Sequence, residues 1–289
     1  CSGLLILTTL IQCQIQPDLG PPTETDVRFL GHKGGGDNSF GATYIENTIL
    51  SVKEGLKTLN GVEVDIQMSL DGTIWMFHNG DLASSGCNTN YRNSIILMKD
   101  TEIEKIQICN GKVQDKIYKL EEVINLLNLT AGGFVISMEV KLDYPSDTIN
   151  HKLIGGEAAY LLKFANSLAK LFPTIKHPNQ IMLEVYDAVF CNKIHTTLPG
   201  IKVCLIKAVT FPKLINDAIA SGYDGVSCSI NESTLTVEEV KRARDSGLIV
   251  QLWTPDNRDD LTKIFNLHPN YIQTNNLKAI SLLNLKVIL

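Results

Sequence analysis

The feature that most constrains the fold of this chain is a regular alternation of strand-like and helix-like segments from residue 27 to the C-terminus. Short apolar runs alternate with longer segments whose apolar residues recur at helical spacing. Such alternation is typical of parallel strands joined by helical crossovers. The predicted strands are 27–30, 61–68, 134–139, 181–185, 203–206, 225–228, 248–253 and 271–273. The predicted helices are 46–59, 120–129, 153–172, 188–197, 214–220, 236–245, 259–265 and 277–285.

The number of units and the chain length favour a closed barrel. The chain has 289 residues, enough for a (β/α)8 barrel, which typically needs about 250. We therefore predict an α/β fold, a (β/α)8 TIM barrel over residues 27–289 with a small insertion after the second strand. The insertion would comprise residues 79–116, a segment too long for an ordinary strand–helix loop. A doubly wound open sheet is the alternative, because it requires no particular number of strands.

The first 26 residues differ from the rest and are predicted to be a signal or lipoprotein-like segment followed by a linker. Residues 4–11 are an apolar run of signal-peptide length. Leu10-Ile11-Gln12-Cys13 is similar to a bacterial lipobox, although Gln12 stands where a small residue is expected. A secretory signal cleaved nearby is the alternative. We expect an exported bacterial protein, periplasmic or associated with the cell envelope, with Cys13 as a candidate site of lipidation and membrane anchoring.

Charge and cysteine content narrow the classes of partner and metal. The net charge is −5 and no basic run is present, so nucleic acid is not an expected partner. Cys87 and Cys109 both follow the second strand and could form a disulfide in an oxidising compartment. Apolar surroundings indicate buried thiols at Cys191, Cys204 and Cys228. No Cys-x-x-Cys pair is present, so zinc is not expected.

Two acidic residues and two histidines near the start of the predicted barrel indicate a reaction centre. Residues 61–68 alternate apolar and polar side chains, which places Glu63 and Asp65 on the same side of one strand. Their Cα atoms would lie about 6–7 Å apart, close enough to bind one divalent cation. His32 and His78 could supply a general acid and a general base. Each feature alone is usually structural or solvated, but together they suit metal-assisted hydrolysis of a phosphate ester.

Several motifs, in this order, resemble those of the glycerophosphodiester phosphodiesterase family. The matching segments are Gly31-His32-Lys33-Gly34, Glu46-Asn47-Thr48, Glu63-Val64-Asp65, Asp71-Gly72, His78-Asn79, Met138-Glu139-Val140-Lys141 and Leu252-Trp253-Thr254. The resemblance spans about residues 27 to 280. Two positions depart from the family pattern, because Lys33 replaces an arginine and Asn79 replaces an aspartate. Residues 37–45 are an apparent insertion between the first two motifs.

The resemblance implies a metal centre and a pair of catalytic histidines. Glu63, Asp65 and Glu139 would be the ligands of one divalent cation, Ca²⁺ or Mg²⁺, since hard carboxylate oxygens favour these ions over zinc. His32 and His78 would be the general base and the general acid, in an order that the sequence leaves open.

Three further residues are candidates for binding substrate. The resemblance implies that Lys141 contacts the phosphate and that Lys33 contributes as well, although lysine is a point charge and lacks the fork of arginine. Trp253 would line the glycerol or alcohol site, or equally be a barrel-core aromatic. Asn47 and Thr48 are interpreted as local capping and packing residues.

The positions of the candidate residues agree with the predicted barrel. Barrel enzymes carry their active sites at the C-terminal ends of the strands. The residues at, near or just beyond predicted strand ends are His32, Glu63, Asp65, Glu139, Lys141 and Trp253. This agreement is independent of the family resemblance.

These observations lead to one functional expectation and two alternatives. We expect a metal-dependent phosphodiesterase that hydrolyses small-molecule glycerophosphodiesters to glycerol 3-phosphate and an alcohol. The alternatives are a phospholipase C- or D-like hydrolase of a lipid phosphodiester, and a non-catalytic barrel that binds phosphodiesters. The sequence does not define the alcohol, the choice of metal, the lipidation or the oligomeric state.

Overall fold

The computed structural model describes residues 27–40, 43–83, 87, 94–129, 133–142, 148–176 and 180–285; the predicted leader and Cys13 lie outside them. The described strands are β1 (Arg28–Gly31), β2 (Gly61–Met68), β3 (Ile74–Met76), β4 (Gln107–Asn110), β5 (Val113–Lys116), β6 (Tyr118–Lys119), β7 (Val135–Val140), β8 (Ile181–Val185), β9 (Lys202–Ile206), β10 (Gly225–Ser229), β11 (Ile249–Trp253) and β12 (Tyr271–Thr274). The described α-helices are α1 (Ile49–Thr58), α2 (Asp100–Ile103), α3 (Leu120–Leu129), α4 (Thr148–Leu153), α5 (Glu157–Leu171), α6 (Ala188–Thr197), α7 (Phe211–Ser221), α8 (Val237–Asp245), α9 (Arg258–Phe265) and α10 (Ala279–Leu282).

Eight of the strands form one closed parallel barrel. Around the barrel their order is β1, β2, β7, β8, β9, β10, β11, β12. The first strand closes the ring, because β1 pairs in parallel with β2, where Leu30 lies opposite Gly61, and with β12, where Arg28 lies opposite Tyr271. The predicted TIM barrel is therefore confirmed, and the open sheet is excluded.

The turn between β1 and α1 packs closely against the helix. Gly34 has a φ of +92°, and a Cβ atom there would lie 2.4 Å from Ser51 Oγ. Thr48 caps the helix, since its side chain accepts a hydrogen bond from the Ser51 N–H. The helix therefore begins at Ile49, three residues later than predicted. The segment before it is not helical, and its side chains reach the barrel mouth, as Asn47 does.

Between β2 and α3 the chain forms additional antiparallel structure, which extends beyond the predicted insertion 79–116 at both ends. There β3 pairs antiparallel with β2, β6 pairs antiparallel with β3, and β4 and β5 form a hairpin. The buried apolar cluster of this region comprises Ile45, from the segment before α1, together with Trp75, Phe77, Leu82, Ile95, Met98, Ile103, Ile106, Ile108 and Ile117. The predicted disulfide between Cys87 and Cys109 is confirmed.

The helix predicted over residues 153–172 is interrupted near its start. Gly155 and Gly156 have φ angles of +80° and +82°, which are incompatible with a right-handed helix. The segment therefore divides into α4 and α5, and the second helix starts at Glu157.

Two further observations concern the cysteines and the hydrophobicity of the helices. Cys191, Cys204 and Cys228 are free and buried, as predicted. Among the described residues, no helix has the length and hydrophobicity required to span a bilayer.

Candidate active site

Three carboxylates meet at the C-terminal ends of adjacent barrel strands. Glu63 and Asp65 belong to β2, Glu139 belongs to β7, and Asp65 lies directly opposite Glu139 in the strand register. One carboxylate oxygen from each residue lies within 4.8 Å of the others. Glu63 and Asp65 are each only 1% exposed. The predicted ligand set is therefore brought together, with a spacing that fits a single cation.

Glu63 has one oxygen that the described residues leave unsatisfied. Its Oε2 accepts a hydrogen bond of 2.8 Å from the Lys33 backbone N–H. Its Oε1 is buried and has no hydrogen-bond partner among the described residues. Burial raises the pKa of Glu63 well above its usual range, and the Asp65 carboxylate adds to this rise. A buried oxygen without a donor is costly, so this site fits a hard divalent cation.

Asp65 is ionised and held in place by an amide and a lysine. The Asn47 side chain donates from Nδ2 to Asp65 Oδ2 at 2.8 Å and accepts from the Asp65 N–H at 2.9 Å. Lys141 Nζ lies 3.2 Å from Asp65 Oδ1. Burial alone would raise the pKa of Asp65, but the charges of Lys141 and His78 help to lower it. The carboxylate therefore keeps its charge in spite of its burial.

Lys141 connects the two strands that carry the carboxylates. Besides Asp65, its Nζ donates to Glu139 Oε1 at 2.6 Å. Burial disfavours the ammonium ion, but the charges of Asp65 and Glu139 raise the pKa of Lys141 above its usual range. Burial also raises the pKa of Glu139, and Asp65 contributes to that rise. Lys141 thus offsets part of the negative charge at the mouth.

The two predicted histidines lie at this mouth. His32 follows β1, and its Nε2 lies 4.0 Å from Glu63 Oε2, whereas its Nδ1 lies 2.8 Å from Asn275 Oδ1. Burial lowers the pKa of His32 below its usual range, although the hydrogen bond to Asn275 opposes this. His78 lies 2.9 Å, through Nδ1, from Asn79 Oδ1. The charge of His78 helps to lower the pKa of Asp65, so His78 lies on the side of the carboxylates.

Lys33 and Trp253 are less directly tied to the cluster. The Lys33 ammonium lies 3.3 Å from Glu46 Oε1, and its backbone adopts a φ of +53°. Trp253 ends β11, which β12 and β1 separate from β2. Its indole Nε1 is buried and has no hydrogen-bond partner among the described residues. Their roles toward substrate remain predictions.

Sequence reasoning missed three polar residues of the barrel interior. Asn47 was expected to act in capping and packing, but its side chain holds Asp65. Glu184 in β8 accepts hydrogen bonds from Ser137, Ser227 and Gln273 at 2.8, 2.6 and 2.7 Å. Asn275, directly after β12, contacts His32. A signal existed for two of them, since Glu184 is charged within an apolar strand and Asn275 follows a strand end.

A comparison with models of protein families shows the family of this chain. The model of the glycerophosphoryl diester phosphodiesterase family matches residues 32–279. The chain belongs to this family. It is therefore an enzyme of the phosphoric diester hydrolase class. Among curated protein sequences, none matches it significantly.

Solved structures of the phosphodiesterase family share the fold. A Silicibacter pomeroyi DSS-3 protein assigned as a glycerophosphoryl diester phosphodiesterase aligns with a TM-score of 0.74 and 17% identity, over 89% of this chain and 93% of that one. A glycerophosphodiester phosphodiesterase from Parabacteroides distasonis ATCC 8503 gives 0.68 and 15%, over 90% and 96%. An Oleispira antarctica phosphodiesterase in complex with the product sn-glycerol-3-phosphate gives 0.71 and 15%, over 89% and 96%. At these identities the similarity shows the fold.

Proposed function

We propose that this family member is a metal-dependent phosphodiesterase that hydrolyses glycerophosphodiesters to glycerol 3-phosphate and an alcohol. The observation that carries the proposal is the cluster of Glu63, Asp65 and Glu139 within 4.8 Å, with one buried Glu63 oxygen unsatisfied, beside His32 and His78. The product complex of the Oleispira antarctica relative supports this choice of substrate class.

The three carboxylates would hold one divalent cation, Ca²⁺ or Mg²⁺. When bound there, the ion would polarise a phosphoryl oxygen and neutralise part of its charge. Asn47 orients Asp65 for this role, and Lys141 stabilises the ionised carboxylates of Asp65 and Glu139. Residues that surround a metal site usually orient the ligands through hydrogen bonds.

The two histidines would move the protons of the reaction. One takes a proton from the nucleophile, which is water or a substrate hydroxyl next to the phosphate, as the new bond to phosphorus forms. With a substrate hydroxyl the product of this step would be a cyclic phosphate, which water must open in a second displacement to give glycerol 3-phosphate. The other gives a proton to the alcohol oxygen as its bond to phosphorus breaks. His32 is well suited to a neutral resting state, because burial lowers its pKa.

Lysines would bind the charged phosphate. Lys141 lies at the mouth beside two carboxylates, where a substrate phosphate could share its three donors. Lys33 directs its backbone toward Glu63 and its ammonium toward Glu46, so its contribution to phosphate binding is secondary. Trp253 is proposed as a wall of the alcohol site.

An exported location is proposed for the enzyme. The disulfide between Cys87 and Cys109 supports an oxidising compartment such as the bacterial periplasm or cell envelope. Cys13 would carry the lipid anchor, and mass spectrometry of the membrane fraction of expressing cells tests this assignment.

Hydrolysis assays test the proposed function. Glycerophosphocholine and glycerophosphoethanolamine are supplied to the full chain after EDTA treatment and again with Ca²⁺ or Mg²⁺, with glycerol 3-phosphate as the readout. We expect release that depends on the metal and is lost in His32→Ala and Glu63→Gln. Glu121→Gln, at an exposed acid of α3, is the matched control.

A lysophospholipid is assayed in parallel. Turnover of that lipid alone would move the assignment to a lipid phosphodiesterase. Absence of turnover with every substrate and both metals would contradict the proposed function.

A further inference from the structure

The amide of Asn275 has only one orientation that satisfies its neighbours. Its Oδ1 lies 2.9 Å from the backbone nitrogen of Asp37, and a backbone N–H can only donate. Its Nδ2 lies 2.8 Å from Asp256 Oδ2 and 3.3 Å from Asp37 Oδ2, and ionised carboxylates only accept. In a flipped amide the NH₂ group would face the Asp37 N–H, and the oxygen would face the carboxylates of Asp256 and Asp37. The oxygen of Asn275 is therefore assigned by its partners.

The same oxygen determines the tautomer of His32. His32 Nδ1 lies 2.8 Å from Asn275 Oδ1, which can only accept. A neutral imidazole carries one N–H, so the hydrogen must be on Nδ1 and the lone pair on Nε2. Nε2 is also the ring nitrogen nearer the carboxylate cluster, 4.0 Å from Glu63 Oε2. The basic nitrogen thus points toward the reaction centre.

The support behind Asn275 is rigid. The Asp256 carboxylate accepts from the Asn275 backbone N–H at 2.8 Å as well as from its side chain. Asn275 is only 5% exposed, and a Cβ atom at Gly36 would lie 2.8 Å from its carbonyl oxygen. Asp256 therefore binds both the backbone and the side-chain amide of Asn275, which positions the acceptor that His32 contacts.

We propose that Asn275 is a positioning residue that holds neutral His32 as the Nδ1–H tautomer and thereby makes Nε2 of His32 the general base. This leaves His78 as the general acid that protonates the leaving alcohol. The proposal rests on the proposed function for its catalytic part. Its structural part, the position of one hydrogen, does not depend on which phosphodiester is the substrate.

Nitrogen NMR of the Mg²⁺-loaded full chain tests the structural part. With ¹⁵N-labelled histidine, the chain gives signals from six imidazoles, and His32→Gln identifies the signal of His32. Above the titration range of the ring, we expect Nδ1 to show a directly bonded hydrogen and Nε2 to show none. A hydrogen on Nε2 would overturn the proposal, whatever the enzyme hydrolyses.

Kinetics of Asn275 variants test the catalytic part. Since general-base catalysis contributes about 10²–10⁴-fold, Asn275→Leu should lower kcat by about 10- to 100-fold and change KM by less than about twofold. The double variant Asn275→Asp with Asp256→Asn exchanges amide and carboxylate, keeps an acceptor for Nδ1–H, and should recover most of kcat. Asn276→Leu, in the same turn but without a hydrogen bond to His32, should change neither kcat nor the NMR tautomer.

The outcomes separate this proposal from the proposed function. If the wild type hydrolyses glycerophosphodiesters and Asn275→Leu has the same kcat as the wild type, the positioning role of Asn275 is overturned but the proposed function is not. A failure of all hydrolysis would contradict the proposed function, and the NMR result would still decide the tautomer. If Asn275→Leu does not fold, the wild-type tautomer and the exchange variant decide the proposal.

Discussion

Asn47 and Asp65, 18 residues apart, form two hydrogen bonds: Asn47 donates to Asp65 Oδ2 at 2.8 Å and accepts from the Asp65 N–H at 2.9 Å. A carboxylate of the candidate metal site, on β2, is thus oriented by a residue that lies just before α1. Asn47 has a φ of +56°, a conformation that asparagine tolerates better than most residues. The sharp turn and the orientation of the Asp65 carboxylate therefore depend on the same residue.

Removal of the Asn47 amide should weaken cation binding. In Asn47→Gly the backbone conformation is kept but the hydrogen bonds to Asp65 are lost, so we expect affinity for Ca²⁺ or Mg²⁺ to fall about 10- to 100-fold. Asn47→Ala should show the same loss and a further destabilisation of about 1 kcal/mol, because alanine is strained at positive φ. Isothermal titration calorimetry and chemical denaturation measure the two effects. Unchanged affinity in both variants would contradict the orienting role.

Divalent cations should stabilise the folded protein through Glu63. A cation present at 100 times its Kd adds about 2.7 kcal/mol to the free energy of unfolding. We expect Ca²⁺ or Mg²⁺ to raise Tm of the EDTA-treated protein, and Glu63→Gln to abolish most of this rise because an amide is a poorer ligand than a carboxylate. Glu121→Gln is the control. An equal rise in wild type and Glu63→Gln would place the stabilising ion elsewhere.

Loss of the Lys141 charge should destabilise the metal-free protein. Lys141→Met leaves the carboxylates of Asp65 and Glu139 without their cation, and breaking such a buried pair costs about 3 kcal/mol. Added Ca²⁺ should restore part of the loss, because the ion supplies positive charge at the same place. In Lys241→Met, which breaks an exposed pair with Asp245, the loss should stay below about 1 kcal/mol. Chemical denaturation with and without Ca²⁺ measures these differences, and equal losses in both variants would contradict the buried-pair interpretation.

The stability of the metal-free protein should decrease as pH rises toward neutrality, in part because of Glu184. Burial, and next the charge of Glu139, raise the pKa of Glu184 to about 7 from an ordinary value of 4.5. The protonated carboxyl therefore favours the folded state fully below the unfolded value, and this contribution is lost as pH rises through 7. Glu184→Gln should flatten the decrease.

Thermal denaturation of EDTA-treated wild type and Glu184→Gln across this pH range measures the effect, with the exposed Glu121→Gln as the control. Glu63 and Glu139, whose pKa values are also raised, contribute in the same direction and remain in the variant. Identical pH profiles in wild type and Glu184→Gln would show that Glu184 does not titrate in this window.

Local patterns in the sequence were enough to predict the elements of the barrel, and the motif resemblance named the three carboxylates of the candidate metal site. Short apolar runs predicted the barrel strands to within a few residues, and the number of strand–helix units predicted closure, because both follow from local sequence spacing. Glu63 and Asp65 were placed on one face by the two-residue period of β2. Even the helix interrupted at Gly155 was misplaced only at its start, where two glycines with positive φ end one helix and begin another.

Which polar groups meet inside the barrel depends on the tertiary structure. His32 and Asn275 are 243 residues apart, and their hydrogen bond exists because β1 closes the ring against β12. Glu184 likewise accepts hydrogen bonds from residues of three other strands. Local periodicity specifies where a strand ends and which face a side chain takes, whereas the partner of a buried polar group depends on strand order and register. Strand closure therefore determines the hydrogen-bond partners and the orientation of these groups.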